Sequence, residues 1–282
     1  MDSNITVSSS NITSIHTVAQ VISWVTFAIG SPVLCLVAYT LYHLVKTDHV
    51  TPVYIINLLI TNIFSFIGRP NTAGEKNLIS AEIRSLVFYY SVITNIVFMV
   101  CIAQERYLLV TRPVCLGSRH AVRSSALVSL LLWVGPLAVL SLAIYGYFLW
   151  LSVCLLLPFP YFLFLCLDAV RALSCSTTLP SQEKRRILGT LTFILGNYIV
   201  IFLPFILNML LKSLSVSVEG FPLETVASML LLLSPLLDPL LFFCVHKSRR
   251  DILQAFPCCK GLVHHQEEPG SVPTISETVA SV

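Results

Sequence analysis

Where the third long apolar run of the chain ends, three adjacent residues carry an acid, a base and a phenol: Glu105, Arg106 and Tyr107. At the centre of a bilayer such charges would cost roughly 2.5–3.5 kcal/mol each, and at its edge less. As neighbours, Glu105 and Arg106 partly neutralise one another, so the bland reading is an interfacial ion pair marking a helix end. The sharp reading is a switch, because a guanidinium in a low-dielectric cleft demands a partner and biases whichever helix supplies it. A second pair with chemical potential is Arg69 and Arg84, whose forked donors suit a carboxylate or a phosphate. Against that stands snorkelling to lipid headgroups, or pairing with Glu75 and Glu82. Cys258 and Cys259 follow a basic amphipathic segment, a setting in which cysteines are often palmitoylated; two idle thiols are the alternative. Sequons at Asn4 and Asn11 lie in a polar leader and suit glycosylation. No His-Glu-x-x-His or Gly-x-Ser-x-Gly is present, so an enzyme is not expected.

These residues must be positioned by elements that live in lipid. The chain is 56% hydrophobic and 11% charged, far from the roughly 25% charged composition of soluble domains. Its mean hydropathy is +0.84. Apolar runs at about 17–43, 52–68, 85–111, 124–145, 148–170, 186–211 and 223–244 are each long enough to cross a bilayer. The fourth and fifth are the hardest to separate. No residue from Ser124 to Leu167 is charged, which is too long for a single crossing of about 20 residues. A tight turn at Tyr145-Gly146-Tyr147 divides them, with Pro158 or Pro160 kinking the second. The first run is too long, and its flank too poor in Lys and Arg, for a cleavable signal peptide, so it is expected to act as its own insertion signal.

Basic residues test this count. With seven spans and an outer N-terminus, only Arg69, Lys76, Arg84 and Lys212 face outward, and the remaining Lys and Arg face the cytoplasm. That bias predicts an N-out, C-in protein of the plasma membrane. The expected organisation is an extracellular, glycosylated segment (1–16), a seven-transmembrane helix bundle (17–244), a short amphipathic eighth helix (245–257) and a disordered cytoplasmic tail (258–282). The fold class is therefore an all-α membrane protein. The basic residues sit in short loops without flanking aromatics, so nucleic acid is not an expected partner. The nine cysteines fall in spans or towards the reducing cytosol, and no extracellular disulfide is expected.

Seven spans with Glu105-Arg106-Tyr107 closing the third resemble the rhodopsin-like G protein-coupled receptors. Further motifs match in order: Gly30-Ser31-Pro32 in the first span, Trp133 in the fourth, Phe202-Leu203-Pro204 in the sixth and Asp238-Pro239-Leu240-Leu241-Phe242 in the seventh. Phe202 and Asp238 are similar to the forms common in the branch holding purinergic, proton-sensing, protease-activated and some lipid receptors. The resemblance implies a G-protein switch built from Glu105, Arg106, Tyr107, Asp238, Pro239 and Phe242. It implies a heterotrimeric G protein as partner, and arrestin through tail Ser and Thr. Of the foot of the sixth span, only Glu183 could supply an acid to hold Arg106, which predicts a weak lock and ligand-independent signalling.

The resemblance also implies a core polar network at Asn62, Asn95, Ser234 and Asp238, where the family surrounds a sodium ion. Here the second-helix carboxylate is replaced by Asn62, so a self-satisfied hydrogen-bond network stands against the sodium site; no other cofactor is expected. Other departures are Leu34 for the first-helix asparagine, Ala81 for the outer cysteine of the third helix, a nearly absent second outer loop, and Phe242 for a tyrosine. Arg69, Arg84, Tyr89, Tyr90, Phe202, Phe205 and Asn208 form a candidate ligand pocket, with aromatic packing as the alternative for its rings. With little outer loop to cover it, entry from the membrane favours a lipid-like anion over a peptide. His16 is the single outer histidine, which argues against proton sensing. The rival within the same fold is a non-signalling decoy or dimerisation partner. A transporter fits poorly, since no repeat is visible. A retinal pump would need a lysine that the seventh span lacks.

Overall fold

A computed structural model describes residues 2–48, 53–69, 78–111, 119–175, 181–215 and 223–245. Among them every regular element is helical: α1 (Asp2–Asp48), α2 (Val53–Ile67), α3 (Leu78–Thr111), α4 (Arg119–Ile144), α5 (Phe148–Leu156), α6 (Pro158–Cys175), α7 (Ser181–Asn197), α8 (Leu203–Ser213), α9 (Leu223–Leu232) and α10 (Ser234–Val245). A π-helical turn at Tyr198–Phe202 joins α7 to α8. Four segments are long and apolar enough to cross a membrane: Thr17–His43, Glu82–Thr111, Phe148–Ser174 and Ser181–Ser213. The pair α9–α10, bent by 42°, makes a fifth if taken as one span, while α2 and the Leu130–Ile144 part of α4 are shorter apolar helices. The segment after Val245, with the expected eighth helix, Cys258 and Cys259, lies outside the described residues. So do the side chains of Asn4 and Asn11, whose backbone belongs to α1.

α3 is the axis of the bundle. It packs against α2, α4, α6 and α7, and its residues Val92, Ile93, Asn95, Ile96, Phe98, Met99, Ile102 and Ala103 are all buried. A helix apolar on every side needs neighbours on every side, and here it has them. The outer helices show the reverse. Val21, Trp24, Val25 and Ile29 of α1, and Leu130, Leu131, Val134 and Leu137 of α4, are exposed apolar side chains. Patches of this extent suit contact with lipid rather than water.

Proline and glycine set the local breaks. Gly146 adopts φ +76°, the left-handed conformation open to glycine, and turns α4 into α5. Leu157 interrupts the helix immediately before Pro158. At the foot of α8, Leu203 N–H reaches back five residues to Tyr198 O, one residue ahead of Pro204, which has no N–H to give. The widened turn places both Tyr198 and Phe202 inside the core. The run 223–244, read from sequence as one span, is divided in the structure into α9 and α10. Pro235 and Pro239 each remove a helical donor, and the axis bends at Leu233. There Leu236 N–H bonds Leu233 O at 2.9 Å.

Candidate functional site

The polar centre of the bundle is built around Asp238, on the first turns of α10 beyond the bend. Its Oδ2 accepts from Asn95 Nδ2 at 2.5 Å and from Ser234 Oγ at 3.1 Å. Its Oδ1 accepts from Asn197 Nδ2 at 3.1 Å. Asn95 Nδ2 also faces Asn62 Oδ1 at 3.4 Å. All five side chains are buried, and they come from α2, α3, α7 and α10. One carboxylate thus ties four helices together where hydrocarbon offers no alternative partner. The sequence reading found four of the five. Asn197 was missed, because the resemblance that implied the other four did not include it; its signal in the sequence is an amide inside an apolar run.

Sodium fits this cluster poorly. Asn95 Oδ1 and Asn197 Oδ1 are buried without a partner and have the right chemistry for a cation. The carboxylate that would carry the charge already spends both oxygens on three donors. Asn62, at the position where the resemblance implies a second-helix carboxylate, leaves a donor, Nδ2, unsatisfied rather than an acceptor.

At one end of α3 lies the Glu105-Arg106-Tyr107 cluster. Arg106 Nη2 is 3.5 Å from Glu105 Oε1, and the arginine side chain is 13% exposed against 29% for the glutamate. Arg106 Nε is buried with no hydrogen-bond partner. Glu183 of α7 makes no ion pair with Arg106; the charge that α7 brings within electrostatic reach is the basic Arg186. Tyr107 turns the other way, and its hydroxyl donates to Asp168 Oδ2 on α6. Lys184 Nζ donates to Leu173 O at 3.0 Å and ties α7 to α6. Asp168 was not among the expected residues, although it is the first charge after the uncharged stretch that ends at Leu167. Pro239 and Phe242 are buried on α10, with Phe242 packed into the core.

The opposite end carries the two arginines. Gly68 ends α2 so close to α3 that a Cβ there would stand 2.5 Å from Phe88 N. That approach turns Arg69 inward. It donates from Nη1 to Ser23 O and from Nη2 to Leu232 O, each at 2.7 Å, and its guanidinium lies 4.8 Å from the Phe66 ring centroid. The Leu232 carbonyl sits at the α9–α10 bend, so this arginine clasps α1 to the broken helix. Burial lowers its pKa from the ordinary arginine value, which still leaves a cation at neutral pH. Neither snorkelling nor an acid partner describes it.

Arg69 and Arg84 share a cavity of about 270 Å³ with residues of α1, α2 and α9. The other expected ligand residues are not among the walls of this cavity. Tyr89 packs on Phe205, with ring centroids 6.0 Å apart. Tyr90 donates to Trp133 O at 2.8 Å, on the α4 side. Phe202 is 1% exposed and stacks on Tyr198. Asn208, half-buried on α8, does not line the cavity. Trp133 itself donates from Nε1 to Asn57 Oδ1 at 2.9 Å, pinning α4 to α2 through an amide the sequence reading did not single out.

The helices and the two charged ends define a multi-helix protein of membrane-spanning character, organised around a buried polar hub. No known protein family's profile matches the chain. Over 130 residues it is 25% identical to G-protein coupled receptor 68 of Bos taurus, a match covering 43% of this chain and 36% of that receptor. The Mus musculus receptor of the same name is 26% identical over 144 residues (46% and 40%), and that of Homo sapiens 24% over 138 residues (45% and 38%). The chain thus spans about two fifths of the length of the curated relatives it matches. The likeness is distant and partial, and it is to receptors named as G protein-coupled.

Proposed function

We propose that the chain is a rhodopsin-like G protein-coupled receptor of the plasma membrane, crossing it seven times with its N-terminus outside. It passes an extracellular or membrane-borne signal to a heterotrimeric G protein through movement of helices around Arg106. The observation that carries this reading is the state of that arginine. It is largely buried, held among the described residues only by its sequence neighbour Glu105, and faced across the bundle by a like charge instead of an acid. Its one partner stands 3.5 Å away and its Nε is unsatisfied, so an acceptor offered from another helix would be gained against little competition. The Asp238 hub supplies the coupling, because a shift of α7 or α10 must break or remake bonds shared with α2 and α3.

The test is basal G protein activation in cells, compared between the wild type and Arg106→Ala at equal surface staining. The receptor reading expects measurable wild-type activity that falls with the substitution. Equal output from both, at matched surface levels, overturns the weak-lock account.

A further inference from the structure

We propose that the cavity between α1, α2, α3 and α9 is a binding site for a single-chain amphiphile with an anionic head, carboxylate or phosphate. This deepens the receptor reading by naming a ligand class for one site, and it rests on that reading only for its signalling consequence. The argument starts with Arg69, a guanidinium that is 8% exposed and lines the cavity. Two of its nitrogens are taken by the carbonyls of Ser23 and Leu232, and the third, Nε, has no partner. No carboxylate among the described residues pairs with it. A buried cation neutralised by dipoles alone is an anion site by electrostatics, and Arg84 adds a second guanidinium to the same walls.

The other walls of the cavity select the part of the ligand attached to that head. Trp24, Phe27, Phe66 and Ile67 make them largely apolar. Trp24 and Ile67 are each 61% exposed on the side of the bundle where α1 shows its other apolar side chains. At about 270 Å³ the cavity falls just under the roughly 300–1,000 Å³ of typical ligand sites. It has room for a head group and the first part of a chain. The remainder would leave past Trp24 and Ile67 along the lipid-facing surface. A small free anion would leave these walls unused, and a neutral lipid would leave the arginines unused. The site also has leverage, because Arg69 grips Leu232 at the bend that leads directly into the Asp238 hub.

The experiment uses the full-length chain purified in nanodiscs of neutral lipid. Oleate and lysophosphatidate are titrated as probes, with oleyl alcohol, acetate and inorganic phosphate as comparators. Saturable binding of oleate or lysophosphatidate is expected, with oleyl alcohol, acetate and phosphate each roughly tenfold or more weaker. Which anionic probe is tighter distinguishes a carboxylate from a phosphate head. Arg69→Gln should weaken the better probe by a similar factor. Because that change also removes a helix clasp, Ala19→Trp serves as the second variant, filling the cavity from α1 while leaving Arg69 intact, and should abolish binding. Oleyl alcohol binding as well as oleate, short anions binding as well as long ones, or undiminished binding in Ala19→Trp each overturns the proposal. G protein activation is read separately. Probe binding with no basal activation that Arg106→Ala removes sinks the receptor reading and spares the site; such activation without probe binding does the reverse.

Discussion

Asp238 accepts from three donors, and the cost of losing it differs from the cost of losing any one of them. In Asp238→Ala, Asn95, Asn197 and Ser234 are all left without their acceptor in a dry core. Each buried orphan costs about 1–3 kcal/mol. Asn197→Ala removes one already unsatisfied oxygen but also takes a donor from Asp238 Oδ1, which costs about 1–3 kcal/mol. Thermal melting of the purified chain should therefore show Asn197→Ala below wild type and Asp238→Ala, with three donors orphaned, further below; equal losses would contradict the hub. Replacing sodium by choline should leave the melting temperature of the wild type unchanged, since the carboxylate oxygens are already engaged. Tyr107→Phe deletes the bond to Asp168 and is expected to lower stability by about 0.5–1.5 kcal/mol, the net contribution of a typical hydrogen bond. These side chains were visible one at a time in the sequence as lone polar residues in apolar runs. Their pairings were not, because partners 41 or 143 residues apart are chosen by helix packing and leave no local spacing to read.

The elements owe their form to a few glycines and prolines, and they differ in how much they tolerate. At Gly68 a Cβ would meet the backbone of Phe88 at 2.5 Å, and backbone cannot step aside. Gly68→Ala should force α2 and α3 apart, at about 1–3 kcal/mol, and displace Arg69 with it. Gly189, inside α7, has nothing within 4 Å of the added carbon. There alanine should be neutral or stabilise by about 0.4–1 kcal/mol, by removing backbone freedom from the unfolded chain. A pair of melts compares the two directly, and a destabilised Gly189→Ala would argue against the helical register of α7. The turn at Gly146 and the interruption at Pro158 were legible because each breaker acts on its own neighbourhood. The bend at Leu233 was not read, even though Pro235 and Pro239 were in view. A proline states that a helix loses a donor; whether the axis bends depends on the neighbours that accept the freed carbonyls.

At the scale of the whole molecule, the seven apolar runs and the one-sided distribution of Lys and Arg in the sequence are what support the proposed bundle with its N-terminus outside. Tags at the two ends test that topology: an N-terminal tag should stain intact cells, and a C-terminal tag only permeabilised ones. Staining of both in intact cells would require an even number of crossings. The membrane character and the helical class were legible in the sequence itself. Hydrocarbon admits only backbone that satisfies its own hydrogen bonds, so each crossing must appear as a long local run of apolar residues. The tertiary structure decided the rest: that Asn197 joins Asp238, that Tyr107 turns to Asp168, that Phe202 is packing, and that Arg69 faces inward beside Arg84 over an apolar cavity. A buried polar group takes the partner that packing brings within about 3 Å, and packing is settled by all the helices at once.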